Sequence, residues 1–209
     1  ALPAYALYIW LPSLGWEVPR HLASVLLLLL PLLLTGGLHA DGFMDTMDGV
    51  FSGRSKERKL EIMKDSRVGA NGVTAFVLLL LLNWAILLDM PPFWLVPALF
   101  VMPVIGRCMM AAAITCFPYA RPEGMGKAFA QYAGKKSLWL ALFITVMCVV
   151  PWGPLACIAF LVSAGFTICF ARYITGVLGG LTGDVYGALT LLNEVLVLLV
   201  FLIGVQRMG

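Results

Sequence analysis

The chain has 209 residues, is 61% hydrophobic and only 12% charged, and carries a formal net charge of +3 with a mean hydropathy of +0.95. Soluble domains are nearer half apolar and a quarter charged, so this composition excludes an ordinary water-soluble domain. Runs such as Val25–Leu34 and Phe76–Leu82 are also too uniformly apolar for a soluble helical core. The expected class is an all-α, polytopic transmembrane helix bundle, one domain over residues 1–209, with the lipid bilayer as its solvent. No nucleic-acid partner is expected.

In chain order, residues 1–11 form a short apolar piece interrupted by Pro3, the weakest candidate for a span. A loop over 12–20 precedes a strong spanning segment, His21–Leu38, with Pro31 in its middle, which a membrane helix tolerates. Further spans are predicted at Asn71–Leu88, Phe93–Phe117, Leu138–Val150, Leu155–Ala171 and Ala188–Gln206. That gives six, or seven if the first piece crosses. Between them lie a polar loop at Pro118–Ser137 and a glycine-rich loop at Arg172–Gly187. The five cysteines (Cys108, Cys116, Cys148, Cys157, Cys169) lie in apolar segments without C-x-x-C spacing and read as helix filler.

Basic residues sort by loop. Arg54, Lys56, Arg58, Lys59, Lys64 and Arg67 fall in one connection, Arg121, Lys127, Lys135 and Lys136 in another, and Arg172 in a third. The turns at 89–92 and 151–154 carry none. Alternation puts the three basic loops on one side, and the positive-inside rule makes that side cytoplasmic; Arg20 and Arg207 fall opposite.

Charge is densest between Asp41 and Arg67. Asp41, Asp45 and Asp48 stand at i, i+4, i+7, one face of a helix. Like charges at that spacing repel, and no Lys or Arg between 39 and 53 offsets them. A divalent cation removes that cost, and Mg²⁺ suits one or two carboxylates plus substrate phosphates. Gly42 and Gly49 leave room for a phosphate; a solvated helix start rich in acids is the plainer reading. Ser55 is placed to cap a charged helix over Lys56–Lys64. After it, Lys64 and Arg67 could clamp phosphate oxygens while Asp65 holds a metal or orients a base.

Arg107 is a charge inside a span and by default a functional residue, paired with a phosphate or a motif aspartate. Four glycines between 179 and 187 surround Thr182 and Asp184, a stretch whose N–H groups could cradle an anion. Glu194 is a second buried acid in the last span. His39 flanks the stripe and could act as acid or base near neutral pH, or orient substrate.

These residues fall into ordered motifs: His39-x-Asp41-Gly42-x-x-Asp45-x-x-Asp48-Gly49, Glu61-Ile62-Met63-Lys64-Asp65-Ser66-Arg67-Val68-Gly69, Phe117-Pro118-Tyr119-Ala120-Arg121 and Gly179-Gly180-x-Thr182-Gly183-Asp184-x-x-Gly187. In this the chain closely resembles the cobalamin synthase family, the adenosylcobinamide-GDP ribazoletransferases. The resemblance implies a bacterial inner-membrane enzyme using Mg²⁺. It implies joining of adenosylcobinamide-GDP to α-ribazole, or its 5′-phosphate, with release of GMP. Family members usually carry additional sequence before the region matching Ala1.

On that reading Asp41, Asp45 and Asp48 hold the metal, and Lys64 and Arg67 bind phosphate. Arg107, Arg121, Gly180, Thr182, Gly183 and Glu194 contribute to substrate binding. Asp65, His39 or Asp184 accepts the hydroxyl proton, a choice the sequence leaves open. Self-association into a homo-oligomer is also left open. Two alternatives stand beside it. A CDP-alcohol phosphotransferase also uses an aspartate stripe, but its D-G-x-x-A-R element is absent here, Met44-Asp45 following Phe43. A cation-dependent transporter would place its acids near the bilayer midplane between repeated halves, and no repeat is evident.

Overall fold

The computed structural model describes residues 1–208. Short N-terminal helices α1 (Leu2–Tyr5) and α2 (Leu11–Ser13) flank a π-helical stretch, Ala6–Trp10. They are followed by α3 (Arg20–Leu34), α4 (Leu38–Val50), α5 (Lys56–Ile62), α6 (Ala70–Asp89) and α7 (Pro92–Cys116). Then come α8 (Met125–Tyr132), α9 (Lys135–Val149), α10 (Pro154–Leu178) and α11 (Gly183–Met208). A 3₁₀ turn, Val150–Trp152, prolongs α9.

Five helices are long and apolar enough to cross a bilayer: α6, α7, α9 with its 3₁₀ turn, α10 and α11. Trp139, Phe143 and Leu161, all more than 60% exposed, point outward, as a lipid-facing surface requires and a water-facing one would not tolerate. The chain is a multi-pass membrane protein. α11 is the axis of the bundle, packed by α4, α7 and α10. Small residues are fully enclosed among the packed helices: Ala98 and Ala113 of α7, Ala156, Ala159 and Ala171 of α10, and Ala188 of α11. Without a hydrophobic driving force between helices in lipid, such close approach is what gains dispersion energy.

The sixth span departs from expectation. His21–Leu38 does not continue straight; α3 stops at Leu34 and α4 leaves it at 89°. The reason is local. Gly36 (φ +58°) and Gly37 (φ +76°) take left-handed backbone, which glycine adopts without penalty. Their N–H groups close on Leu33 O at 3.2 Å and Leu32 O at 2.9 Å, a Schellman C-cap. The Thr35 hydroxyl donates to Pro31 O at 2.8 Å. At 13 residues α4 is about 20 Å long, too short to cross by itself.

Two predicted loops are also revised. Residues 172–178 continue α10, because Ile174 and Leu178 are buried against the bundle, and α11 begins at Gly183. The glycine-rich connection shrinks to Gly179–Thr182. Within 118–137, Met125–Tyr132 is helical. The connections 51–69, 117–134 and 179–182 gather at one end of the bundle, and the turns at 90–91 and 150–153 lie at the other.

Candidate active site

At the loop-rich end, α4 crosses α11 so tightly that a Cβ on Gly42 would lie 2.8 Å from Asp184 O and 2.9 Å from its Cα. Nothing larger than glycine allows this crossing, and it sets the two flanking aspartates of α4 beside Asp184. The carboxylate of Asp45 lies within electrostatic reach of Asp41, Asp48, Asp184 and Arg121. One turn further along α11, Gly187 abuts His39, where a Cβ would lie 3.2 Å from the histidine Cα.

Arg121 is brought in by a second close approach. Ala120 N–H donates to Leu181 O and Leu181 N–H to Pro118 O, both at 2.8 Å, zipping the two loops together. A Cβ on Gly180 would lie 2.7 Å from Pro118 O, so the zipper also requires glycine. Arg121, its side chain 10% exposed, then reaches Asp184 at 2.8 Å. Its Nε is buried with no hydrogen-bond acceptor among the described residues; buried donors are normally satisfied, and a phosphate oxygen would satisfy this one. Thr182 caps α11, its hydroxyl oxygen accepting from Val185 N–H at 3.3 Å while the hydroxyl donates to Asp184 at 3.3 Å. Gly183 lies beneath Gly126 of α8, where a Cβ on Gly126 would come within 2.9 Å.

Asp48 has a different occupation. Its carboxylate accepts from Gly69 N–H at 2.7 Å and Gly72 N–H at 2.8 Å, the free amides that open α6. A carboxylate there satisfies orphan donors and opposes the positive end of the helix dipole. It also fixes the preceding turn to α4. In that turn Asp65 accepts from Arg67 through both its guanidinium, at 2.7 Å, and its backbone N–H, at 3.0 Å. These bonds hold the Asp65 carboxyl down at about 2 and raise Arg67. Lys64 and Arg67 are exposed at this rim.

Deeper in the bundle, Arg107 pairs with Glu194 at 2.8 Å, rather than with an aspartate of the stripe. Gly106 makes room for it, a Cβ there meeting Glu194 Cγ at 3.1 Å. The pair lies on an open-mouthed, leucine-walled cavity, which His39 also lines. The expected residues therefore form three groups: Asp41, Asp45, Asp184 and Arg121 with Gly180, Thr182 and Gly183; His39, Arg107 and Glu194; and the rim turn Lys64–Arg67. Asn83, the lone amide in the apolar run of α6, lines the same cavity and was not singled out from the sequence. Its signal was a polar side chain inside a span.

Among the described residues no three His, Cys, Asp or Glu side chains close on one metal-sized point. The donor chemistry nevertheless fits Mg²⁺, which needs only one or two carboxylates beside phosphate oxygens: Asp41 and Asp184 lie within electrostatic reach of Asp45, and Arg121 is in direct contact with Asp184.

Fold and site together define a multi-pass membrane protein whose acidic and cationic groups converge where α4 crosses α11. The cobalamin-5-phosphate synthase family matches residues 2–202. The chain is 41% identical over 207 residues to an adenosylcobinamide-GDP ribazoletransferase of Desulfitobacterium hafniense, covering 93% of this chain and 79% of that one. It is 47% identical over 186 residues to the enzyme of the same name from Desulforamulus reducens (88% and 74% covered), and 43% identical over 183 residues to that of Herpetosiphon aurantiacus (80% and 67%). No solved structure matches. The chain belongs to the cobalamin-5-phosphate synthase family. This assignment takes precedence over the lipid-phosphotransferase and transporter alternatives.

Proposed function

We propose that the chain joins adenosylcobinamide-GDP to α-ribazole, or its 5′-phosphate, releasing GMP, at the cytoplasmic face of the bacterial inner membrane. The observation that carries this is the α4–α11 crossing, where Asp41, Asp45 and the Arg121-paired Asp184 lie within electrostatic reach at the end of the bundle that holds the basic loops.

Asp41 and Asp45, with Asp184 opposite, are the residues that would hold Mg²⁺; Asp48 supports them by anchoring α6. When bound, the ion supplies charge neutralisation on the diphosphate. Arg121, through its unpartnered Nε, and the rim cations Lys64 and Arg67 hold phosphate oxygens. The 5′-hydroxyl of the ribazole forms a bond to the cobinamide-side phosphorus as the bond to the GMP oxygen breaks. The hydroxyl proton passes to a basic group, and the electron pair of the broken bond leaves on GMP. Of the three candidate bases, Asp65 is held at about 2 by Arg67 and is too weakly basic near neutral pH. Asp184 is engaged by Arg121. The support for His39 is its position between the acids and the cavity.

The test is GMP release by purified wild-type protein in phospholipid nanodiscs given Mg²⁺, adenosylcobinamide-GDP and α-ribazole. The expected result is stoichiometric GMP and cobalamin, stopped by EDTA. Absence of GMP from the wild type overturns the reading.

A further inference from the structure

The residues Asp184, Gly187, Leu191, Glu194 and Leu198 recur at spacings of three and four, one face of α11. The first two belong to the acid cluster. The last three line the cavity together with His39 and Arg107. The cavity thus continues the reaction site inward along one helix face. From Asp184 to Glu194 is ten residues, about 15 Å along the axis.

Its walls are leucines of α3 and α6, among them Leu27, Leu28, Leu79 and Leu80. Its polar groups are few and of a particular kind. Glu194 is 7% exposed and is held by one guanidinium nitrogen of Arg107, which leaves that guanidinium further N–H donors. Asn83 of α6 also lines the cavity, its amide nitrogen donating to Leu79 O at 3.2 Å. An alkyl chain would cover the remaining N–H donors of Arg107 and offer them no acceptor, a desolvation cost. A flat heteroaromatic ring with an acceptor nitrogen would bury its faces on leucine and take a hydrogen bond from Arg107.

We propose that this cavity seats the aromatic base of the acceptor nucleoside, a two-ring imidazole-containing heterocycle, with its ribose directed past His39 toward Asp184. This rests on the reading above that the acceptor is α-ribazole. It makes Leu80, Leu191 and Arg107 determinants of which base is accepted. Phospholipid acyl chains are the competing occupant.

The experiment measures initial rates in nanodiscs with each substrate varied in turn, for wild type, Leu80→Phe, Leu80→Ala and Leu78→Phe. Leu78, on the same helix, is 61% exposed and does not line the cavity. Filling the cavity in Leu80→Phe is expected to raise the KM for α-ribazole by about tenfold or more, while the KM for adenosylcobinamide-GDP stays within about twofold. Leu78→Phe is expected to change neither. Free dimethylbenzimidazole, lacking sugar and phosphate, is expected to inhibit the wild type competitively with α-ribazole, and Leu80→Ala to relax selection against bulkier bases. An unchanged α-ribazole KM in both Leu80 variants overturns the proposal. So does a change that appears only in the number of phospholipids retained by the protein. A wild type that releases no GMP instead overturns the proposed function, a separate outcome from active variants with unshifted KM.

Discussion

α11 carries two arginine–acid pairs, ten residues apart on one face, both at 2.8 Å. Asp184 with Arg121 sits among other acids, against loop backbone, with a guanidinium N–H to spare. Glu194 with Arg107 sits among leucines with its carboxylate nearly enclosed. The same chemical pair does different work in the two settings. Where further acids crowd in, the local charge is net negative, and a cation would balance it. Where hydrocarbon surrounds it, the pair is neutral as a unit and offers direction to a ligand without drawing ions.

The largest expected effect separates the two pairs. Asp45→Asn, which removes a charge from the upper cluster only, should lower turnover by about 100-fold or more while the protein keeps its helical content and detergent-stable size. Retained turnover would remove Asp45 from the site. Glu194→Gln keeps the shape of the lower pair and removes its charge. It should raise the α-ribazole KM by about tenfold and alter kcat less, the scale of one charged hydrogen bond. A fall in kcat alone would merge the two pairs into one functional unit.

Asp48→Ala tests whether the third aspartate belongs with the upper cluster or with the scaffold. Losing its bonds to Gly69 and Gly72 should cost about 1–3 kcal/mol of stability, read from thermal unfolding in detergent, with residual turnover per folded molecule well above that of Asp45→Asn. The smallest effect belongs to Asp65. Its carboxyl is depressed from 3.8 to about 2, so the stability it contributes is present above about pH 4 and is lost as pH falls through about 2. Between pH 5 and 8, Asp65→Asn should therefore leave the shape of the stability and activity profiles unchanged. A shifted acid limb would return Asp65 to the list of proton acceptors.

Much of this was legible in the residues. The apolar runs located the five crossing helices, and the order of the four motifs carried the family. What the sequence could not rank was the use of each group within a motif. The i, i+4, i+7 spacing put three carboxylates on one face, but Asp48 is claimed by the open amides of α6, a tertiary partner with no trace in the stripe itself. Glycines at 180, 183 and 187 read as a loose loop; they are contact points with Pro118, Gly126 and His39 that let helices and loops meet at backbone distance. Arg107 was identifiable as a buried charge, but its partner lies 87 residues away. The corner after Leu34 was hidden because Gly36 and Gly37 interrupt the hydropathy too briefly to divide one span into two helices.

The backbone zipper between Pro118–Ala120 and Leu181 has a mechanical consequence. It ties the end of α7 to the start of α11, so the Arg121 guanidinium and the Asp184 carboxylate beside it cannot drift apart independently. A ligand that displaces one must carry the other with it, and the connection leading into α8 starts from that same fixed point.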